Sequence, residues 1–221
     1  MQNKEHFGKN LPFTISTPND YDSNKSYGII FIMHGFGASM QDLISIAPMI
    51  NENDFIYIFP NAPIEIDIGS GQAGYAWFPP NGEAPEKELQ LSIQLLNETI
   101  VEALSMFNIN NKYIYIGGFS QGGMMTIHVG LTQPEKFTGA IILSSRMITP
   151  SLLKPHSTVG FPVFMAHGTM DNVISIEDAR STKSQLTEMG CLVEYHEYQM
   201  AHNITNQVLD DIKKWIPSIE I

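Results

Sequence analysis

Apolar residues in this chain occur in short, unbroken runs that alternate with segments of helical periodicity. The runs predict strands at 11–17, 27–33, 55–59, 113–116, 140–143, 162–166 and 192–198. Runs such as 27–33 are apolar at every position and rich in β-branched residues, which is typical of strands buried on both faces of a sheet. The chain is therefore predicted to build its core around a sheet.

The intervening segments predict helices at 39–50, 86–107, 121–131, 176–189 and 204–216. In the first of these, Ser39 and Asp42 have the spacing of a capping box. Strands that alternate with helices predict an α/β fold with a mostly parallel central sheet and helices on both faces. In such a fold, functional side chains gather beyond the carboxyl ends of the strands.

One segment, 61–85, follows neither pattern. It is rich in glycine and proline but also carries Ile68, Trp77 and other apolar residues, which argues against simple disorder. We interpret it as a minimal lid loop. The chain shows no internal repeat or linker, and its length suits a single domain spanning residues 1–221.

Composition narrows the classes of function. The 221 residues include 12 Lys and Arg against 23 Asp and Glu, a net charge of −11, with Arg146 and Arg180 the only arginines. An acidic chain is a poor partner for nucleic acid or an anionic membrane, so we expect neither nucleic-acid binding nor stable membrane anchoring. The polar amino terminus lacks the features of a signal peptide, which favours a cytoplasmic location. A homodimer is left open.

A candidate nucleophile lies between a predicted strand and a predicted helix. The segment Gly118-Phe-Ser-Gln-Gly-Gly123 contains the pattern Gly-x-Ser-x-Gly of a nucleophile elbow, with Ser120 at its centre. The glycines on both sides of the serine allow a sharp turn, because larger residues at these two positions would collide with the neighbouring strand and helix. The helix that follows directs its amino terminus at developing negative charge.

A nucleophilic serine requires a histidine base and a carboxylate that orients it. Of the seven histidines, His202 is the one late in the chain that lies on a loop beyond the carboxyl end of a strand. Asp171 directly follows the strand 162–166, whereas Asp178 and Asp210 lie within helices. The chain order Ser120, Asp171, His202 is that of α/β-hydrolases. His34 and His167, each between a strand and a glycine, are also expected near the site.

An oxyanion hole needs two backbone N–H donors. The residue after the nucleophile, Gln121, supplies one candidate. The glycine-rich segment His34-Gly-Phe-Gly37 follows an early strand, and the N–H of Phe36 is the second.

Taken together, His34-Gly-Phe-Gly37, Gly118-Phe-Ser-Gln-Gly-Gly123, His167-Gly-Thr-Met-Asp171 and Ala201-His202 resemble the phospholipase/carboxylesterase family of α/β-hydrolases, which includes acyl-protein thioesterases. The resemblance implies Ser120, Asp171 and His202 as a catalytic triad and Phe36 and Gln121 as oxyanion donors. It also implies an enzyme that hydrolyses esters or thioesters and uses no cofactor or metal.

From these features we expect a serine carboxylesterase for short- to medium-chain esters, with an acyl ester or thioester as its small-molecule partner. Substrate contacts are predicted at Trp77 and Ile68 in the lid loop, while the resemblance implies Val173 as an acyl-channel position. Acyl-protein thioesterase and lysophospholipase activities are the alternatives. The chain has Ala201-His202-Asn203 and Trp77-Phe78-Pro79 where many family members have Gly-His-Ser and Trp-Phe-Asp.

Other classes of protein fit less well. A dienelactone-type hydrolase uses a cysteine nucleophile, but the single cysteine, Cys191, is far from any elbow. A non-catalytic binding protein on this fold would be expected to lose one member of the triad. A peptidase with the same triad usually carries an extra domain, for which 221 residues leave no room.

Overall fold

The computed structural model describes residues 1–69, 71–79, 86–153 and 158–217. Its strands are β1 (Gln2–Phe7), β2 (Pro12–Thr17), β3 (Tyr27–Met33), β4 (Phe55–Pro60), β5 (Ile64–Asp67), β6 (Ala73–Ala76), β7 (Ile109–Phe119), β8 (Gly139–Leu143), β9 (Pro162–Gly168) and β10 (Leu192–Tyr198). Its α-helices are α1 (Ala47–Ile50), α2 (Glu86–Ser105), α3 (Gln121–Thr132), α4 (Ile176–Glu188) and α5 (Asn206–Trp215).

Eight of these strands form a sheet with the order β1-β2-β4-β3-β7-β8-β9-β10. From β4 to β10 every neighbouring pair is parallel, and only the β1–β2 and β2–β4 pairs are antiparallel. The prediction of a mostly parallel sheet is confirmed. Strands β3, β7, β8 and β9 therefore end at the same edge, where the candidate catalytic segments follow them.

Helices cover both faces of the sheet. Helices α2, α3 and α4 pack on one face against side chains such as Ile29 and Phe31, while α1 and α5 pack on the other against Ile30 and Ile32. Successive residues of β3 thus enter opposite halves of the core, which explains why the run is apolar throughout. Across the described ranges, none of the helices combines the length and apolar character needed to cross a bilayer.

The amino terminus is an edge strand rather than the polar tail suggested by its sequence. Residues Gln2–Phe7 form β1, which pairs with β2. Most of its side chains are exposed on both faces, so no alternation of apolar and polar residues announces the strand. His6, which lies in this polar segment, contacts Glu102 and packs against the ring of Phe13.

The predicted helix at 39–50 is wrong over most of its length. Ser39 and Asp42 do bond to each other, with the Ser39 N–H and hydroxyl both donating to Asp42 Oδ2, but the chain there forms turns. A 3₁₀ turn at Ile44–Ile46 precedes the four-residue α1. Pro48 has no N–H to donate to the preceding turn, so a regular α-helix begins only where the proline falls in its first turn.

The segment 61–85 is more ordered than its sequence suggests. Strands β5 and β6 form an antiparallel hairpin, and the described turn residues Gly69 and Gly71 both have positive φ. The signal for this hairpin is the alternation of Ile64, Ile66 and Ile68 with acidic residues. Residues 70 and 80–85 of the segment lie outside the described part of the chain.

The strand-to-helix turn between β7 and α3 is packed without spare room. A Cβ added at Gly118 would lie 2.3 Å from the backbone of Gly122, and one added at Gly122 would lie 2.2 Å from the carbonyl oxygen of Met33. These are backbone contacts, so no side-chain rotation relieves them. The two glycines of the elbow motif therefore let α3 start directly against β7 and the end of β3.

We expect Gly122→Ala to destabilise the protein by about 3 kcal/mol or more, because the methyl group displaces backbone at the sheet edge. Gly130→Ala in the same helix is the matched control. There the nearest heavy atom would lie 3.5 Å away, and alanine favours a helix interior by up to about 1 kcal/mol. Urea unfolding of both variants measures the difference. Equal stabilities would contradict the packing described here.

Candidate active site

The sharp turn after β7 carries Ser120 at the edge of the sheet. Its φ of 54° and ψ of −118° are strained for a residue with a side chain. The turn is held by the Ser120 N–H, which donates to Leu143 O at 2.9 Å, and by the Ser145 hydroxyl, which donates to Ser120 O at 2.7 Å. This conformation directs the serine hydroxyl away from the helix and toward the neighbouring loops.

A chain of hydrogen bonds joins the three residues that the sequence singled out. Ser120 Oγ lies 2.9 Å from His202 Nε2, and His202 Nδ1 lies 2.7 Å from Asp171 Oδ2. The His202 ring is mostly covered, and the Asp171 side chain is fully buried. The geometry is that of a nucleophile, a base and an orienting carboxylate within hydrogen-bond reach.

The Asp171 carboxylate is fixed by its own loop. Its Oδ1 accepts hydrogen bonds from the N–H groups of Val173 at 2.8 Å and Ile174 at 2.9 Å, which leaves Oδ2 for His202. Burial opposes ionisation, but the hydrogen bonds from Ile174, His202 and Val173 outweigh it and lower the pKa of Asp171. The group therefore faces His202 as a carboxylate.

The loop that carries His202 is anchored on the loop that carries Asp171. The Thr169 N–H donates to Tyr198 O at 2.8 Å, and the Met170 N–H donates to Met200 O at 3.1 Å. Gly168 permits this contact, since a Cβ there would lie 2.3 Å from Met200 O. These backbone bonds fix the positions of His202 and Asp171 relative to each other. His202 lies four residues before α5 begins.

Two backbone N–H groups beside Ser120 are candidates for an oxyanion hole. Gln121 is the first residue of α3, where N–H groups have no partner inside the helix. Among the described residues, Phe36 N–H makes no hydrogen bond either. Gly35 brings the Phe36 loop close, because a Cβ at Gly35 would lie 3.3 Å from the Ser120 Cβ. A developing oxyanion at Ser120 would therefore meet free donors.

The buried His34 holds this loop in place. The Ala62 N–H donates to His34 Nε2 at 3.0 Å, so the ring proton lies on Nδ1, which donates to Gly35 O at 2.7 Å. In a trans peptide the carbonyl of Gly35 and the N–H of Phe36 point in opposite directions, so fixing one aims the other. Burial lowers the pKa of His34, which keeps the ring neutral and preserves this pattern.

Trp77 supports the same loop from beneath. Its side chain is completely buried, and the indole N–H donates to His34 O at 3.0 Å. The side chain of Gln121 holds this segment by accepting from Trp77 N–H and donating to Phe78 O, both at 2.8 Å. The expectation that Trp77 lines an acyl pocket therefore differs from the structure, because the ring is enclosed in the core.

The β5–β6 hairpin completes the support. The Gly37 N–H donates to Tyr75 O and the Tyr75 N–H donates to Ala38 O, each at 2.9 Å. Residues 37–38 therefore pair with β6 as a short extension of the hairpin. In its described part, the segment predicted as a lid therefore supports the loop that carries Phe36.

A cavity of about 220 Å³ opens beside Ser120. Its wall includes residues that the sequence reasoning did not assign to the site, namely Ala38, Asp42, Leu43 and Phe119. The other lining residues are His34, Gly35, Phe36, Ser120 and His202. Phe119 could have been found from the sequence, since it precedes the candidate nucleophile. Asp42 and Leu43 could not, because they reach the cavity only through the turns that replace the predicted helix.

The other two predicted substrate contacts lie outside this cavity but near the site. Ile68 is 50% exposed and approaches Gly37, where a Cβ would meet its Cγ2 at 3.5 Å. Val173 is 69% exposed and follows Asp171 in the carboxylate loop. Both remain candidates for contacts with a longer acyl chain. Cys191 lies buried immediately before β10, at the amino-terminal ends of the parallel strands and away from the candidate site, and burial raises the pKa of its thiol.

The sheet order, the strained serine turn and the loop-borne partners define an α/β-hydrolase. The family model described as phospholipase/carboxylesterase matches residues 20–219, so the chain belongs to that family and is an ester or thioester hydrolase.

Individual relatives agree with this assignment. The chain is 31% identical over 218 residues to acyl-protein thioesterase 1 of Candida albicans, covering 89% of this chain and 94% of that protein. It is 26% identical over 175 residues to the carboxylesterase SOBER1 of Arabidopsis thaliana, covering 72% and 75% respectively. The crystal structure of a carboxylesterase from Mesorhizobium loti shares the fold, with a TM-score of 0.81 at 14% identity over 97% of this chain and 98% of that one.

The Trp77 hydrogen bond predicts an effect on kcat rather than on the preference for acyl-chain length. Trp77→Phe keeps an aromatic ring but removes the donor to His34 O, so we expect kcat to fall about tenfold, the worth of one hydrogen bond. The fall should be the same for p-nitrophenyl acetate and decanoate. Trp215→Phe, in α5 and away from the site, is the control. A changed chain-length profile with an unchanged acetate rate would restore Trp77 as a substrate contact.

Proposed function

We propose that this protein is a serine carboxylesterase that hydrolyses short- to medium-chain carboxylic esters through an acyl-enzyme. Ser120 is the nucleophile, His202 the general base and acid, and Asp171 the carboxylate that orients the histidine. The single observation that carries the proposal is the continuous hydrogen-bonded chain from Ser120 Oγ through His202 to the buried Asp171, at 2.9 and 2.7 Å.

In the first half of the reaction, His202 Nε2 takes the proton of Ser120 as Oγ attacks the ester carbonyl carbon. Asp171 accepts the Nδ1–H bond and stabilises the imidazolium that forms. The carbonyl oxygen becomes an oxyanion facing the N–H groups of Phe36 and Gln121. Each such donor is typically worth about 3–4 kcal/mol in the transition state. The bond to the alcohol then breaks, and His202 returns the proton to the leaving oxygen.

The second half repeats these steps with water. His202 removes a proton from the water molecule as its oxygen attacks the acyl-enzyme carbonyl. The same two N–H groups hold the second oxyanion. When the bond to Ser120 Oγ breaks, His202 gives the proton back to the serine, and the carboxylic acid leaves. The chain's own residues therefore account for every proton transfer.

The cavity supports a substrate of modest size. Its volume of about 220 Å³ is below the 300–1,000 Å³ typical of pockets for drug-sized ligands. Phe36, Leu43 and Phe119 give it an apolar wall. These features favour a short acyl or alcohol group beside Ser120, with the exposed Ile68 and Val173 available to longer chains.

Thioester hydrolysis is the second candidate function, favoured by the relative named acyl-protein thioesterase 1. Lysophospholipase activity is the third and follows from the name of the family. A panel of p-nitrophenyl esters, acyl-coenzyme A thioesters and lysophosphatidylcholine separates them. A higher kcat/KM for the short esters than for every other substrate supports the proposal, and the reverse order replaces it.

Removing the nucleophile tests the mechanism. We expect Ser120→Ala to lower kcat for p-nitrophenyl butyrate by at least about 10⁴-fold, as for other serine hydrolases. The variant should also lose labelling by a fluorophosphonate. Ser181→Ala, on the exposed surface of α4, should retain both. If Ser120→Ala kept a tenth of the wild-type rate with its fold intact, the assignment of Ser120 would be wrong.

The cavity wall also predicts discrimination by substrate charge. Asp42 places a carboxylate on the wall of the cavity that contains Ser120, and Coulomb repulsion disfavours an anionic substrate there. Asp42→Asn removes the charge while its amide oxygen still accepts the Ser39 bonds. We expect kcat/KM for a p-nitrophenyl hemisuccinate to rise several-fold relative to the neutral butyrate, at low salt only. Asp210→Asn, exposed on α5, should leave the ratio unchanged, and an unchanged ratio in Asp42→Asn would contradict the prediction.

A further inference from the structure

A second buried histidine, His167, lies directly behind the candidate catalytic carboxylate. It is the penultimate residue of β9, its side chain is completely buried, and the proposed mechanism does not use it. Its Nε2 lies 3.0 Å from Ile174 O and 3.5 Å from Asp171 Oδ2. A nitrogen that bonds to a carbonyl oxygen must carry a proton, so the ring proton is on Nε2.

The contacts of His167 close a ring around the Asp171 carboxylate. Oδ1 is held by the Ile174 N–H, and the carbonyl of the same Ile174 is held by His167. The same Nε2–H also faces Oδ2, the oxygen that accepts from His202. Rotation of the carboxylate away from His202 would therefore disturb a bond at each of its oxygens. Fixing the residue 171–174 loop in this way fixes the direction of the acceptor for His202.

Stability alone does not explain a histidine at this position. Among the described residues, His167 Nδ1 has no hydrogen-bond partner, although it is buried. A buried polar atom without a partner costs about 1–3 kcal/mol. Native structures retain such groups mainly where they serve a function.

We propose that His167 is a positioning residue for the triad: its Nε2–H holds the loop of Asp171 so that the carboxylate stays directed at His202 Nδ1. This inference rests on the proposed function, because it assigns His167 a role only if Asp171 and His202 act together. His167 itself touches no substrate. Its effect is on the rate of proton transfer between Ser120 and His202.

Two substitutions of equal polarity separate this role from simple packing. Glutamine places its amide nitrogen where the histidine has Nε2, whereas the shorter asparagine reaches only the position of Nδ1. We expect His167→Gln to keep kcat within about threefold of wild type. His167→Asn should lower kcat about 10- to 100-fold with little change in KM, the range seen when a partner that orients a functional side chain is lost.

The spectroscopic readout is independent of turnover. Proton NMR should show a downfield resonance from His202 Nδ1–H bonded to Asp171 in wild type and in His167→Gln. In His167→Asn this resonance should be weakened or lost. The nitrogen shifts of His167 should report the Nε2–H tautomer. An Nδ1–H tautomer, or a His167→Asn variant with wild-type kcat and an intact downfield resonance, would overturn the proposal.

A purely structural role gives a different pattern. It would lower the melting temperature of both variants alike and reduce activity only by the unfolded fraction, which also overturns the proposal. Ser120→Ala serves as the reference for the function itself. If that variant remains active, the proposed triad fails, and if it is inactive while His167→Asn equals wild type, only the role of His167 fails.

Discussion

The close approach of α3 to the ends of β3 and β7 is the constraint on which the rest of the site depends. Gly118 and Gly122 allow backbone to touch backbone, and Ser120 takes up the resulting strain at positive φ. That approach places the first N–H groups of α3 beside the loop that follows β3. The candidate nucleophile and the candidate oxyanion donors are therefore brought together by the same backbone contact, which a methyl group at Gly122 would disturb.

Much of the fold and the three central side chains could be predicted from the sequence. Strands buried on both faces, such as β3 and β4, must be apolar at every position, so their runs are unmistakable. The order of Ser120, Asp171 and His202 is meaningful because parallel strands end at a common edge. The edge strand β1 gave no comparable signal, since exposure on both faces removes the need for an apolar pattern.

What failed in the sequence reasoning depended on contacts between distant segments. Ser39 and Asp42 bond as a capping box does, but Pro48 limits the α-helix to four residues, and the turns bring Asp42 to the cavity. The sequence suggests Trp77 as a substrate contact because no periodic pattern in a loop indicates whether a large aromatic side chain is buried in the core. Its burial follows from the side chain of Gln121, 44 residues later, which holds its backbone. Sequence periodicity carries no information about such a bond.

Two His-Gly pairs, one after β3 and one at the end of β9, have parallel roles at the carboxyl ends of the sheet. In each pair the glycine lets another segment approach: Gly35 brings its loop against Ser120, and Gly168 accepts the loop of His202. In each pair the buried histidine donates to a carbonyl, His34 to Gly35 O and His167 to Ile174 O. The first bond fixes the direction of the Phe36 N–H, the candidate oxyanion donor, and the second is the one we propose to restrain the Asp171 carboxylate. The first loop lies directly against Ser120, and the second reaches Ser120 through His202. Because each loop must hold one backbone or carboxylate group in a fixed direction, a buried side chain that donates one directed proton suits both tasks.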